Sequence, residues 1–199
     1  VCPGKEELCY GGIGMHGTPY GNYAVQNADL LIGIGVRFSD GIMGNPSRFA
    51  PGASIIHMDI DPAEIGKNVE VDVPIVGHLG HVLQEFLVAP RETDTTEWIR
   101  ELQDYRTKNG LVYDKTGGLK PQFMIETAAK YFPDDTIVST DVGQNQMWVG
   151  LFYPFRYPRT LMTSGGLGTM GFGLPAAIGA ALAKPQRQVL MVSGDGGFQ

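Results

Sequence analysis

Short apolar runs that end in glycine or a charged residue alternate along this chain with stretches whose apolar residues recur at helical spacing. Ala28-Asp-Leu-Leu-Ile-Gly-Ile-Gly35 and Ala53-Ser-Ile-Ile-His-Met-Asp-Ile60 read as buried strands, and Val73-Pro-Ile-Val-Gly77 as a weaker third. Asp61-Pro-Ala-Glu64 carries the signs of a helix start: Asp as cap, Pro at the first helical position and Glu three after the cap. A helix is predicted from His78 to Leu87. Residues 89–118 lose the strand signals and gain charge, which predicts a linker. It carries one amphipathic helix, about Thr95 to Lys108, with Trp98, Leu102 and Tyr105 on one face. A second segment begins near Pro121. It reads as a helix to Tyr131, a strand over Thr136–Thr140, a glycine-rich turn, a small-residue helix from about Leu174 to Ala183, and a strand over Gln188–Val192. Strands alternating with helices predict an α/β fold with parallel sheets buried on both faces.

Composition narrows the function classes. Of 199 residues, 43% are hydrophobic and 18% charged, which is the balance of a globular protein and not of a disordered one. The net charge is −6 and lysines and arginines do not cluster, so neither nucleic acid nor an acidic membrane is an expected partner. Apolar runs stay below the roughly 18 residues of a membrane span, and the N-terminus lacks the pattern of a signal peptide. Cys2 and Cys9, the only cysteines, complete no zinc pattern and read as reduced thiols in a cytoplasmic or organellar protein. Glycine, at 28 residues, is over-used and clusters at 11–21, 33–44 and 164–179, which suggests backbone shaped to ligands or to close packing. The first residue is Val, which fits a chain cut from something larger or one processed at its N-terminus.

Several stretches carry candidate chemistry. Gly33-Ile-Gly35 after a strand invites a dinucleotide fingerprint, but the place of its third glycine holds Phe38. Three readings stay open there: a nicotinamide site, glycines that merely end a strand, or another nucleotide arrangement with Arg37 for charge and Asp59 for ribose hydroxyls. His78 and His81 have no further metal ligand at a useful distance and read as a solvated face. His57, between Ile56 and Met58, reads as packed. His16 lies in Gly14-Met-His-Gly17, where glycines would let a ligand approach. Asp141-Val-Gly-Gln-Asn-Gln-Met147 follows a strand, at the carboxyl end where open parallel sheets bind ligands. Thr163-Ser-Gly-Gly-Leu-Gly-Thr-Met-Gly-Phe-Gly-Leu-Pro175 is a glycine-rich turn that holds one bulky residue, Met170. Gly194-Asp-Gly-Gly197 reads either as an ordinary turn or as a Mg²⁺ and phosphate site, with Asp195 as the hard oxygen ligand.

Together, "GMHGTPYGNYAVQNADLLIGIGVRFSD", "HMDIDPAEIGKN", "VGQNQMW" and "SGGLGTMGFGLPAAIGA" resemble the thiamine-diphosphate (ThDP) enzymes, and within them the acetolactate synthase (acetohydroxyacid synthase) large-subunit family. The resemblance implies two Rossmann-like or flavodoxin-like parallel-sheet domains, both incomplete here. Residues 1–88 would be the C-terminal part of a middle FAD-binding domain, 89–118 the linker, and 119–199 the N-terminal part of a diphosphate-binding domain. It assigns Val142, Gly143, Gln144 and Asn145 to the diphosphate end of ThDP, and Gly168 to the aminopyrimidine. Met170 becomes the wedge that bends the cofactor. Asp195 becomes the Mg²⁺ ligand, with Gly194, Gly196 and Gly197 beside the diphosphate. For FAD it implies Gly14, Met15, His16, Gly35, Val36, Arg37, Asp59, Ile60, Met147, Gly165 and Gly166. Four positions depart from the pattern: many members carry an acidic residue at Ser39, Arg at Gly41, Asp at His78 and His at Asn145.

The implied function is condensation of pyruvate with a second 2-keto acid, with loss of CO₂, in branched-chain amino-acid biosynthesis. The implied assembly is a homodimer or homotetramer with a possible small regulatory subunit. The cofactor-activating glutamate and the second half of the metal motif would lie outside these 199 residues, so the fragment is expected to be inactive alone. Pyruvate oxidase, glyoxylate carboligase and sulfoacetaldehyde acetyltransferase are alternatives in the same superfamily, and a non-catalytic flavin-binding module is one outside it.

Overall fold

The computed structural model describes residues 8–88 and 93–199; Cys2 and residues 89–92 of the expected linker lie outside them. The chain forms two compact units, one of Ile13–Gly110 and one of Leu111–Gln199 with residues 8–12. Cys9 is a free, half-buried thiol.

The first unit is built on a parallel sheet of β1 (Leu30–Ile34), β2 (Ser54–Asp59) and β3 (Val73–Val76), in that order. Leu30 pairs with Ser54 and Ile34 with Met58, and Asp59 then pairs with Val76, so the carboxyl ends of the three strands finish side by side. All three match the apolar runs. Helix α1 (Pro19–Gln26) starts where Thr18 accepts the Gly21 N–H at 2.9 Å and Pro19 takes the first turn, a start signal that the surrounding glycines hide from sequence reasoning. A one-turn α2 (Asp40–Met43) follows β1, and α3 (Leu79–Val88) follows β3. Helix α4 (Thr96–Lys108) packs on α1. Its Leu102 is buried, Tyr105 stacks on Tyr23 with ring centroids 3.8 Å apart, and the Tyr23 hydroxyl donates to Glu101 at 2.6 Å.

The helix expected from Asp61 does not form; residues 62–69 are consecutive turns and bends. The Asp61 side chain does cap locally, accepting the Ala63 N–H at 2.9 Å. The chain then turns through Gly66 at a φ of +69°, and the Gly66 N–H points to His57 Nδ1 instead of continuing a helical ladder.

In the second unit a parallel sheet runs in the order β5 (Leu161–Met162), β4 (Ile137–Thr140), β6 (Val189–Val192). Ile125 of α5 (Pro121–Tyr131), Val138 of the central strand, and Val149 of α6 (Gln144–Phe152) form the core with Tyr153 and Phe155. Helix α7 (Gly173–Ala183) lays Gly173, Ala177 and Ala180 inward. Its first residue has to be glycine: an added Cβ would come within 2.8 Å of the Asp141 amide nitrogen. A last short helix, α8 (Asp195–Phe198), follows β6. Among the described residues no helix is long and apolar enough to cross a membrane.

Candidate cofactor site

In the second unit the segments that follow β4 and β6 meet the glycine-rich turn between β5 and α7. Gly168 faces Val142, whose Cγ1 lies 3.7 Å from where a Cβ would stand. A Cβ at Gly194 would sit 3.5 Å from Asn145 Nδ2, and one at Gly196 would press on Met170 Cε at 2.8 Å. Residues far apart in sequence (142–145, 168–170 and 194–197) therefore share one locus at the carboxyl end of a parallel sheet. Gly143 and Gly168 have φ values of +120° and +62°, which residues with side chains rarely adopt, so the backbone at both is shaped for close approach. Asp195 is exposed at the first position of α8.

One atom at this locus lacks a partner. Asn145 donates through Nδ2 to the Val142 carbonyl at 3.3 Å, while its Oδ1 is buried without a hydrogen bond. A buried polar atom of this kind is costly unless something fills its shell. The glycine cradle and this open acceptor fit a polar group seated on the turn. Among the described residues no three His, Cys, Asp or Glu side chains gather to hold a metal; Asp195 is the exposed acid of this cradle.

A residue that sequence reasoning left out of the site organises it. Asp141 is fully buried at the end of β4. Its carboxylate accepts the N–H groups of Val142 at 2.8 Å, Gly171 at 3.0 Å and Gly173 at 2.9 Å. Burial pushes the Asp141 pKa up, but the amides of Gly173, Val142 and Gly171 outweigh it and hold it below the ordinary carboxylate value. The space beside Gly197 is filled by the same carboxylate. The Asp before Val-Gly-Gln was visible in the sequence; that its partners lie some thirty residues on was not.

In the first unit, Gly35, Val36 and Arg37 leave β1 and Asp59 and Ile60 leave β2, so these five candidates stand at neighbouring strand ends. Gly35 turns at a φ of +60° and donates its N–H to the Met58 carbonyl at 2.8 Å. His57 is packed, as its apolar neighbours predict: Nε2 donates to the Val36 carbonyl at 2.8 Å and supports the turn from beneath. Gly14 is buried. Its N–H donates to Asn22 Oδ1 at 2.7 Å, and the Met15 N–H donates to the Gly41 carbonyl at 2.9 Å, which ties this loop to the segment after β1. The chain's own backbone at Gly41 and Ile42 thus approaches Gly14 closely, while Met15 and His16 are exposed. His78 and His81 are exposed, their rings 5.2 Å apart. Met147, Gly165 and Gly166 belong to the other unit, Met147 in α6 and the two glycines in the turn after β5.

Residues 1–86 match the thiamine pyrophosphate enzyme central domain, and residues 141–199 the thiamine pyrophosphate enzyme C-terminal TPP binding domain. The chain belongs to the thiamine pyrophosphate enzyme family. Its cofactor, thiamine pyrophosphate, is the thiamine diphosphate named above. Members similar to it include the "Probable acetolactate synthase large subunit" of Methanocaldococcus jannaschii, 46% identical over 98% of this chain and 35% of that protein. The "Acetolactate synthase large subunit" of Haemophilus influenzae is 44% identical over 99% of this chain and 36% of its own length. "Acetolactate synthase 1, chloroplastic" of Nicotiana tabacum is 43% identical over 98% and 30%. The chain therefore spans about a third of the length of the curated relatives it matches.

Proposed function

We propose that this chain is part of a ThDP-, Mg²⁺- and FAD-dependent acetolactate synthase. The observation that carries the reading is the meeting of 142–145, 168–170 and 194–197 at one sheet end, a cradle of glycine backbone with a single exposed carboxylate. When bound, ThDP supplies a thiazolium that takes up the electron pair released as a 2-keto acid loses CO₂.

The chain's own residues bind and orient. Gly143–Asn145 and the Gly194–Gly197 turn would offer backbone N–H groups to a diphosphate end, with Val142, whose own N–H is held by Asp141, beside them, and Asp195 would offer the hard oxygen donor that a diphosphate-bound Mg²⁺ prefers. Met170, the bulky residue of the glycine turn, would press between the two rings of the cofactor and hold it bent. Asn at 145, where many members carry His, keeps a donor and an acceptor. In the first unit FAD would be held by Gly14, Met15, His16, Gly35, Val36, Arg37, Asp59 and Ile60. Ser39, Gly41 and His78, which depart from the family pattern, would change the flavin or channel surroundings.

The net reaction joins two pyruvates and a proton into acetolactate and CO₂: the bond to one carboxylate breaks and its electron pair forms the new bond to the second keto carbon. With 2-ketobutyrate as acceptor the product is acetohydroxybutyrate. The name "large subunit" carried by relatives supports a smaller regulatory partner, and the chloroplastic relative supports an organellar or bacterial cytoplasmic setting. The assembly would be at least a homodimer. The test is to supply the product of the intact reading frame with pyruvate, ThDP, Mg²⁺ and FAD. Acetolactate formed without phosphate or O₂ is the expected result. Acetyl phosphate formed only with both present would assign a pyruvate oxidase instead.

A further inference from the structure

The end of β4 holds the most deeply buried polar residues of the second unit, Ser139, Thr140 and Asp141, all without exposure. A strand this buried is ordinarily apolar, and an ionised carboxylate within it is costly unless its lone pairs are filled. Each of these side chains is spent on the turn that carries Met170. Ser139 donates its hydroxyl to the Gly173 carbonyl at 2.8 Å, and Asp141, on the same face of the strand, accepts the Gly173 N–H at 2.9 Å. Gly173 is thereby gripped at both of its backbone polar groups. Asp141 also accepts the Gly171 N–H, the amide next after Met170.

The start of the same turn is tied as well. Thr140, facing the other way, lies 2.7 Å from the Thr163 hydroxyl, which Gln146 Nε2 also reaches at 2.7 Å, and the Thr169 N–H donates to Ser164 Oγ at 3.0 Å. Gly196 and Gly197 lean on Met170 and on the Asp141 carboxylate respectively, so one buried acid touches the backbone of all three converging segments.

We propose that Ser139 and Asp141 are positioning residues that fix Met170, and through it the bend of the bound cofactor, without touching the cofactor themselves. The inference rests on the reading of the site as a ThDP site. A purely architectural role would show only in stability. A positioning role shows in the cofactor's pose, because both side chains are invested in the backbone that directly follows one wedge residue.

The test compares Asp141→Asn, Ser139→Ala and Met170→Ala in the product of the intact reading frame, saturated with ThDP and Mg²⁺. The readouts are the induced near-UV circular dichroism of the bound cofactor, its Kd, and kcat and KM for pyruvate. Asp141→Asn keeps the shape but turns one acceptor into a donor facing an N–H. It is expected to change the dichroism of the bound cofactor and lower kcat roughly ten- to hundredfold, the scale of a lost charge-assisted hydrogen bond. KM should move less than about threefold, since only the pose is altered. In a Met170→Ala background the same substitution should add under about threefold, because the two act as one unit. Ser139→Ala is the milder variant: it should fold even where Asp141→Asn does not, and should shift the spectrum in the same direction. A saturated, folded variant with wild-type dichroism and kcat would overturn the proposal, whatever its loss of thermal stability; an unchanged Ser139→Ala protein would do so if Asp141→Asn did not fold. Wild-type protein that binds no ThDP would instead remove the cofactor reading beneath it.

Discussion

The ring of Phe38 lies on Gly33. An added Cβ at Gly33 would stand 2.5 Å from Phe38 Cζ and 2.7 Å from Cε2. Phe38 is 3% exposed, sits at a φ of +43°, and meets His57 and Phe49 edge-on. The residue at the place of the fingerprint's third glycine is thus a packing element of the β1 end. Gly33→Ala should cost about 1–3 kcal/mol of stability by overpacking, read as a lower denaturant midpoint. In a Phe38→Ala background the same substitution should cost far less, because the opposing ring is gone.

On the alkaline side, stability should depend on Tyr113. Its hydroxyl donates to Glu126 Oε2 at 2.6 Å, and that bond, ahead of burial and the Glu126 charge, pushes its pKa up to about 12. The folded pKa lies above the unfolded one, so the contribution is complete below about pH 10 and is lost as pH rises through the folded value. Urea midpoints measured from pH 9 to 12 should fall less steeply for Tyr113→Phe than for the wild type. Equal slopes would mean that the bond does not form in solution.

The two sheets were legible because five of the six strands lie within the short runs, closed by glycine or acid, that read as strands in the sequence. β5, at two residues, is too short to leave such a run. Helices α1 and α6 were not legible for a different reason: Gly-Thr-Pro-Tyr-Gly and Gly-Gln-Asn-Gln carry loop-like residues, yet Thr18 and Pro19 start one helix and Gly143, at a φ of +120°, leads into the other. Asp61 shows the converse, a correct cap signal in front of a segment that Gly66 and Asn68 turn elsewhere; Asn68 donates to the Arg37 carbonyl at 2.9 Å. The glycines of the candidate site could be read from their type and order. Asp141 could not be assigned its place, because its partners are backbone amides, which are the same in every sequence.

Gly197→Ala should be poorly tolerated, since the carboxylate of Asp141 fills the space its methyl would need. The acid cannot retreat without releasing Val142, Gly171 and Gly173, so the cost should be about 1–3 kcal/mol, with weakened ThDP binding. A neutral effect on both thermal unfolding and ThDP titration would show that the turn after β6 does not rest on Asp141.

Leu102→Ala should loosen α4 from α1. Leu102 is 4% exposed and lies on α4 three residues before Tyr105, which stacks on Tyr23 of α1, and truncating a buried leucine costs about 2–5 kcal/mol. Hydrogen exchange should speed up in both helices, and exchange confined to α4 would contradict the packing.

The most direct test of the account is a calorimetric titration of ThDP, in excess Mg²⁺, into the product of the intact reading frame and into its Asp195→Ala variant. Saturable binding of one cofactor per chain, abolished by EDTA and weakened at least about tenfold by the substitution, as expected for a lost metal-bound carboxylate, is the predicted result. Absence of binding, or binding that Asp195→Ala and EDTA leave unchanged, would contradict the placement of the diphosphate at the carboxyl end of the β5–β4–β6 sheet.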